Sequence, residues 1–186
     1  LLNVLLAEGL NLGLRKMAEA SNTHDYWQLS RMARWFVESE AMDQALATVV
    51  AAQGQLDMAR HWGLGTTASS DGQFFPAARQ GEAMNAINAK YGSDPGAKGY
   101  THVNDHYAPF ASRLIPVTVS EAPFILSGLL ANEAGQKISE QYADTAGYTD
   151  HVFGMSGLLD QRLVLRIRDL PSKRLYVFDP AGTPSE

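Results

Sequence analysis

Two aspartates stand out for the chemistry they could do. Asp71 lies in Gly65-Thr66-Thr67-Ala68-Ser69-Ser70-Asp71-Gly72-Gln73, and Asp144 in Gln141-Tyr142-Ala143-Asp144-Thr145-Ala146-Gly147-Tyr148-Thr149-Asp150-His151. Asp71 sits in a run of small residues, and the glycine after it lets a backbone or a ligand approach closely. Asp144 falls at the end of a predicted strand, before a glycine-containing turn, where functional side chains are commonly placed. Hard divalent cations take carboxylate oxygens. Two of them held about 3.5–4 Å apart activate an attacking hydroxyl and stabilise the leaving oxygen of a phosphodiester. On adjacent strands, Asp71 and Asp144 could supply the ligands shared by such a pair. Asp also caps turns through backbone N–H groups, and spacing taken alone favours that plainer reading.

Other candidates carry less. His102 and His106 in His102-Val103-Asn104-Asp105-His106 share a face on a strand, but four rises of about 3.3 Å keep them from clasping one ion unaided. Structural or DNA-facing roles suit them better. Ser70 with His151 and an Asp lacks the nucleophile-elbow pattern of a serine hydrolase. Arg162, Arg166, Arg168, Lys173 and Arg174 form the marked basic run, opposed by Asp169. Arg79, Lys90 and Lys98 are weaker cations in a glycine-rich stretch. A solvated face is the default for such a run. Trp27, Trp35 and Phe36 at helical spacing suit a core better than a base-stacking platform.

The elements that must position these residues fall into two regimes. Leu5, Leu6, Leu10, Leu14 and Met17 follow helical spacing. Ser21-Asn22-Thr23 breaks the pattern. A second helix carries Trp27 to Phe36, and a third Ala45, Leu46, Val49 and Val50. From His61 the texture changes. Strands are predicted around Thr66–Phe75, Tyr100–Tyr107, Arg113–Val119, Lys137–Ala143 and Leu163–Ile167, the second and third pairing as a hairpin. Helices are predicted over Glu121–Ala134, with Pro123 tolerated in the first turn, and over Thr149–Leu159, with Thr149 as N-cap. A mixed sheet flanked by helices in this order is that of a ribonuclease H-like core, an order shared with many α/β domains.

Composition bounds the rest. Of 186 residues, 45% are hydrophobic and 19% charged, which suits a globular core. The absence of cysteine excludes disulfides and thiolate sites, and fits a reducing cytoplasm. No window approaches eighteen apolar residues, so no membrane helix is expected. The net charge of −5 taken alone points mildly away from nucleic acid. The start, Leu1-Leu2-Asn3-Val4, reads as a chain entered in mid-helix rather than a signal peptide.

Four stretches, with the helical start Ala7-Glu8-Gly9-Leu10-Asn11-Leu12-Gly13-Leu14, carry a resemblance over essentially the whole chain. They are Gly65–Gln73, Asn88-Ala89-Lys90-Tyr91-Gly92-Ser93-Asp94-Pro95-Gly96, Asp144–Phe153 and Arg166-Ile167-Arg168-Asp169-Leu170. In this order they closely resemble the Tn-three family of replicative transposases. The resemblance implies a ribonuclease H-like catalytic domain with an Asp, Asp, Glu triad and magnesium, manganese serving as substitute. It places the first acid at Asp71 and the second at Asp144, and gives His151 and Asp150 supporting roles beside Asp144. It favours phosphate contact for the basic run, and more weakly for Arg79, Lys90 and Lys98. Leu64 departs from the pattern, where a small or acidic residue is expected.

The third acid, a Glu on a helix after a long insertion, has no match here. After Asp144 the only glutamate is Glu186. The expectation is therefore a fragment: a helical segment over 1–60, then the N-terminal part of a truncated ribonuclease H-like core over 61–186. The parent would be a bacterial cytoplasmic enzyme, nucleoid-associated when bound to transposon-end and target DNA, with an oligomer open to it. A truncated remnant that at most binds DNA is one rival. A stand-alone metal-dependent nuclease, drawing a third carboxylate from Asp94, Asp105 or Asp150, is another.

Overall fold

The computed structural model describes residues 1–77, 86–132, 135, 137–144, 147, 149–166 and 168–172. Among them, seven helices and a five-stranded sheet run in the order α1 (Leu2–Gly9), α2 (Leu14–Ser21), α3 (Tyr26–Phe36), α4 (Ser39–Gly54), α5 (Ala59–Trp62), β1 (Thr67–Pro76), β2 (Gly96–Asn104), β3 (Pro109–Pro116), α6 (Ala122–Leu130), β4 (Glu140–Ala143), α7 (Asp150–Leu158) and β5 (Arg162–Leu165). A 3₁₀ turn follows at Leu170–Ser172.

The helical part differs from its periodicity in one place. Leucines continue at helical spacing through residues 10 to 14, yet the chain breaks there, because Asn11 (φ 51°) and Gly13 (φ 80°) adopt left-handed backbone that a right-handed helix cannot include. The break folds α2 back so that Val4, Ala7, Met17 and Leu29 form one small core. Helix α3 starts with a capping box: Gln28 N–H donates to Asp25 Oδ1 (2.8 Å) and Asp25 N–H to Gln28 Oε1 (3.1 Å). Its buried stripe is Leu29 with Met32 and Ala33. Trp27, Trp35 and Phe36 are therefore not core, and Trp27 is 76% exposed.

The sheet order is β3-β2-β1-β4-β5. The first three strands are antiparallel neighbours, and β4 and β5 run parallel to β1 and to each other. This is a mixed sheet flanked by helices, as the element order predicts. The β2–β3 hairpin forms as expected, closed by Asn104, whose Oδ1 accepts the N–H groups of His106 and Ala108 at 3.0 Å each. The parallel pair β4–β5 is joined through α7, as a parallel connection requires. Thr149 caps α7, its Oγ1 accepting Val152 N–H at 3.2 Å. Pro123 sits in the first turn of α6, where a missing N–H costs nothing.

One face of the sheet is closed by α6 and α7. Tyr100, Ile115, Ala143 and Leu163 meet Ala122, Ile125, Leu126 and Val152 there. Helix α4 reaches the same sheet further along, bringing Val50 and Leu46 to Ala68, Phe110 and Ile138. Fully burying a side chain such as Ile125 stabilises the fold by roughly 1.5–3 kcal/mol. Gly128 is required by this packing, since a Cβ there would run into the His102 ring.

Candidate functional site

Register brings the two aspartates together. In the parallel β1–β4 pair, Ser69 is the partner of Tyr142 and Ser70 of Ala143. Asp71 and Asp144 are the next residues on each side, and neighbouring strands lie about 4.8 Å apart. Burial alternates along both segments: Ala68, Ser70, Gln141 and Ala143 are buried, while Ser69, Asp71, Tyr142 and Asp144 are exposed. Both carboxylates thus belong to the sheet face that α6 and α7 leave open. They line one shallow depression of about 370 Å³ with Tyr142, Val164 and Arg166. Gly72 N–H donates to Asp71 Oδ1 at 2.8 Å, which orients that carboxylate.

A buried polar layer lies beneath them. Tyr100 O–H donates to Ser70 Oγ (3.0 Å), and Gln141 Nε2 donates to Ser70 Oγ (2.9 Å) and to the Tyr142 carbonyl (3.1 Å). Burial pushes the Tyr100 hydroxyl up to about 12, the bond to Ser70 opposes this, and the carboxylates of Glu121, Asp144 and Asp71 add to it. All three acids therefore lie within electrostatic reach of one hydroxyl. Glu121 is held by Lys98 at 2.9 Å, with both side chains nearly inaccessible, and Lys98 also donates to the Val119 carbonyl at 2.9 Å. The Glu121 carboxyl fills the space beside Gly72, where a Cβ would approach it to 2.8 Å.

Several expectations are corrected here. Lys98 is not a surface cation: it shares the buried face of β2 with Tyr100 and His102 and cannot reach DNA. His102 and His106 are both buried, which leaves them the structural one of the two roles read for them. Burial lowers His102 to about 4, with a bond to the Phe124 carbonyl acting against this, and His106 bonds the Gly63 carbonyl at 3.2 Å. Asp105 does not join the aspartate pair. Its N–H bonds Thr67 at the far end of β1, four residues or about 13 Å from Asp71.

The remaining candidates are spread out. Arg162 is exposed and paired with Glu140 at 2.7 Å. Arg166 follows β5 and lines the depression, whereas Arg168 lies in the turn beyond, 3.8 Å from Asp169. Strand β5 ends at Leu165, so Arg166 and Arg168 do not share a strand face. Lys90 is exposed over the Tyr91 ring. Asp150 and His151 are exposed in the first turn of α7. Arg79, Lys173 and Arg174 lie outside the described residues. Sequence reasoning missed Lys98–Glu121 and Ser70–Gln141–Tyr100. A signal existed for Gln141, which a period of two places on the same buried face as Ala143.

The donor set suits a hard divalent cation: two carboxylates side by side on an open face. Among the described residues, no group of three or more His, Asp or Glu is placed to hold a metal, so the pair would supply part of a coordination shell. No described helix is long and apolar enough to cross a membrane.

Residues 1–186 match the family model described as the Tn3 transposase DDE domain. The chain is 48% identical to the transposase for transposon Tn501 of Pseudomonas aeruginosa over 95% of its length, and 38% identical to that for Tn1546 of Enterococcus faecium over 96%. It spans 18% of the length of each. A chain in the crystal structure of a pre-cleavage Mos1 transpososome is similar at a TM-score of 0.36 and 10% identity, over 87% of this chain and 57% of that one. With a family model matched from the first residue to the last, the chain belongs to the Tn3 transposase DDE domain family.

Proposed function

We propose that this chain carries the first two acids of an Asp, Asp, Glu active site, with Asp71 and Asp144 as metal ligands in a transposase that cuts transposon ends and joins them to target DNA. The observation that carries this reading is the placement of the two carboxylates at successive positions past a shared register, on an open face of the sheet. Bound magnesium, or manganese in its place, would activate the attacking hydroxyl and stabilise the leaving oxygen. Asp71 and Asp144 would hold it, and Gly72 N–H would orient the first carboxylate. Water would cut the transposon end, and the freed 3′ hydroxyl would attack a phosphodiester of the target. His151 and Asp150 are proposed as supporting groups beside Asp144. The bacterial cytoplasm, at the nucleoid when DNA is bound, is the setting this implies.

Arg166 is the cation best placed to touch the DNA backbone, since it borders the same depression as the acids. Arg168 follows it in the turn beyond β5, Arg162 starts that strand at the end remote from the acids, and Lys90, Arg79, Lys173 and Arg174 complete the proposed set. In the intact transposase, Arg166→Glu and Arg168→Glu should each weaken DNA binding across all sequences and reduce the salt slope by about 1. Binding isotherms between low and moderate salt measure this, and an unchanged slope would return both residues to a solvated surface.

The 186-residue chain alone should neither cut nor join DNA with magnesium or manganese. Two-metal transfer needs ligands on both sides of the scissile phosphate, and among the described residues the site offers two carboxylates. The assay incubates the chain with transposon-end DNA and manganese beside the intact transposase. Cleavage by the chain that vanishes in both Asp71→Ala and Asp144→Ala would mean that another of its own acids completes the site.

A further inference from the structure

We propose that Gln141 and Ser70 are positioning residues that fix the spacing of Asp71 and Asp144 by locking the register of β1 against β4. The inference rests on the reading of those aspartates as metal ligands.

The pairing that sets the spacing is short. Strand β4 has four residues, and its registered contact with β1 runs only from Thr67↔Glu140 to Ser70↔Ala143. The side chains that share the buried face there are small or polar, Ala68 and Ser70 against Gln141 and Ala143. Backbone hydrogen bonds alone repeat along a strand and accept a slip. A slip of one residue turns every side chain to the other face, and a slip of two moves Asp144 by about 6.6 Å along β1. Either would separate the carboxylates.

The buried polar layer opposes both slips. Ser70 Oγ is the meeting point of three strands, taking Tyr100 O–H from β2 and Gln141 Nε2 from β4. Gln141 is 1% exposed, Ser70 7% and Tyr100 2%. Displacing β4 would strand these groups away from water, which costs more than an exposed bond would. The layer is also at the right end of the pairing. Ser70 directly precedes Asp71, and the second Gln141 bond holds the Tyr142 carbonyl, two residues before Asp144. A hydrophobic residue at either position would fill the space without recording the register.

The test uses the intact transposase, with manganese as probe. Direct Mn²⁺ titration without DNA, followed by electron paramagnetic resonance of the free ion, should show about tenfold weaker binding in Gln141→Leu and in Ser70→Ala. The double variant should be no worse than either single one, since both break one network. Ser70→Thr, which keeps the hydroxyl, should bind as the unaltered protein does. Mn²⁺ affinity unchanged in Ser70→Ala and Gln141→Leu, with only the melting temperature lowered, would reduce the layer to ordinary core structure and overturn the proposal. Ser70→Ala decides alone should Gln141→Leu fail to fold. The parallel controls Asp71→Asn and Asp144→Asn separate the two ideas, because retained Mn²⁺ binding in both would sink the assignment of the ligands themselves.

Discussion

Asp71→Asn and Asp144→Asn in the intact transposase should each lower strand cleavage by about 10³-fold, while leaving folding and DNA binding in place. The size follows from the several kcal/mol that a correctly held metal contributes to charge stabilisation, at about 1.4 kcal/mol per tenfold in rate. The specificity follows from the setting. Both residues are exposed, and exposed substitutions away from special features usually change stability by less than about 0.5 kcal/mol. Asn also keeps an oxygen for the Gly72 N–H that now bonds Asp71. Single-turnover cleavage of transposon-end DNA with manganese, run beside a filter-binding isotherm, measures both quantities. Activity within tenfold of the unaltered enzyme in either variant would remove that residue from the site.

Much of the frame was legible because it rests on local rules. The exposed Ser69, Asp71 and Gln73 alternate with buried or half-buried residues as a half-covered strand must, and Thr149 and Pro123 announced the starts of α7 and α6. Boundaries moved by a few residues: β5 stops at Leu165 rather than Ile167, and α6 ends at Leu130 rather than Ala134. The single helix read through Leu5 to Met17 failed for a definite reason. Spacing reports which residues share a face, and says nothing of a left-handed turn that restarts the pattern at Leu14. The aromatic residues of α3 failed similarly, since helical spacing does not say which stripe meets a neighbour.

The site was legible only in part. Two acids could be singled out, but their proximity depends on a parallel pairing that brings residues such as Ser70 and Gln141, 71 positions apart, into contact. No local pattern encodes that. Lys98 was misread because the glycine-rich stretch around it suggested a loop. In β2 it shares a face with Tyr100 and His102, and a cation on such a face needs a partner. That partner, Glu121, arrives from the start of the next helix.

Lys98→Met should destabilise the fold by about 3–5 kcal/mol, the range found when one member of a buried ion pair is removed. Methionine fills nearly the same volume, so the loss is electrostatic rather than a cavity. Glu121 would keep its place against Gly72 with no cation beside it, and the Val119 carbonyl would lose its donor as well. At roughly 2–4 °C per kcal/mol for a chain of this size, the melting temperature should fall by about 6–20 °C. The double variant Lys98→Met with Glu121→Leu should recover most of the loss, because a buried pair replaced by apolar groups of similar volume is often neutral or better. Thermal unfolding of the three forms, followed by circular dichroism, distinguishes the cases. If Lys98→Met melts with the unaltered protein, the Lys98–Glu121 contact contributes little, and α6 is held to the sheet chiefly by Ala122, Ile125 and Leu126.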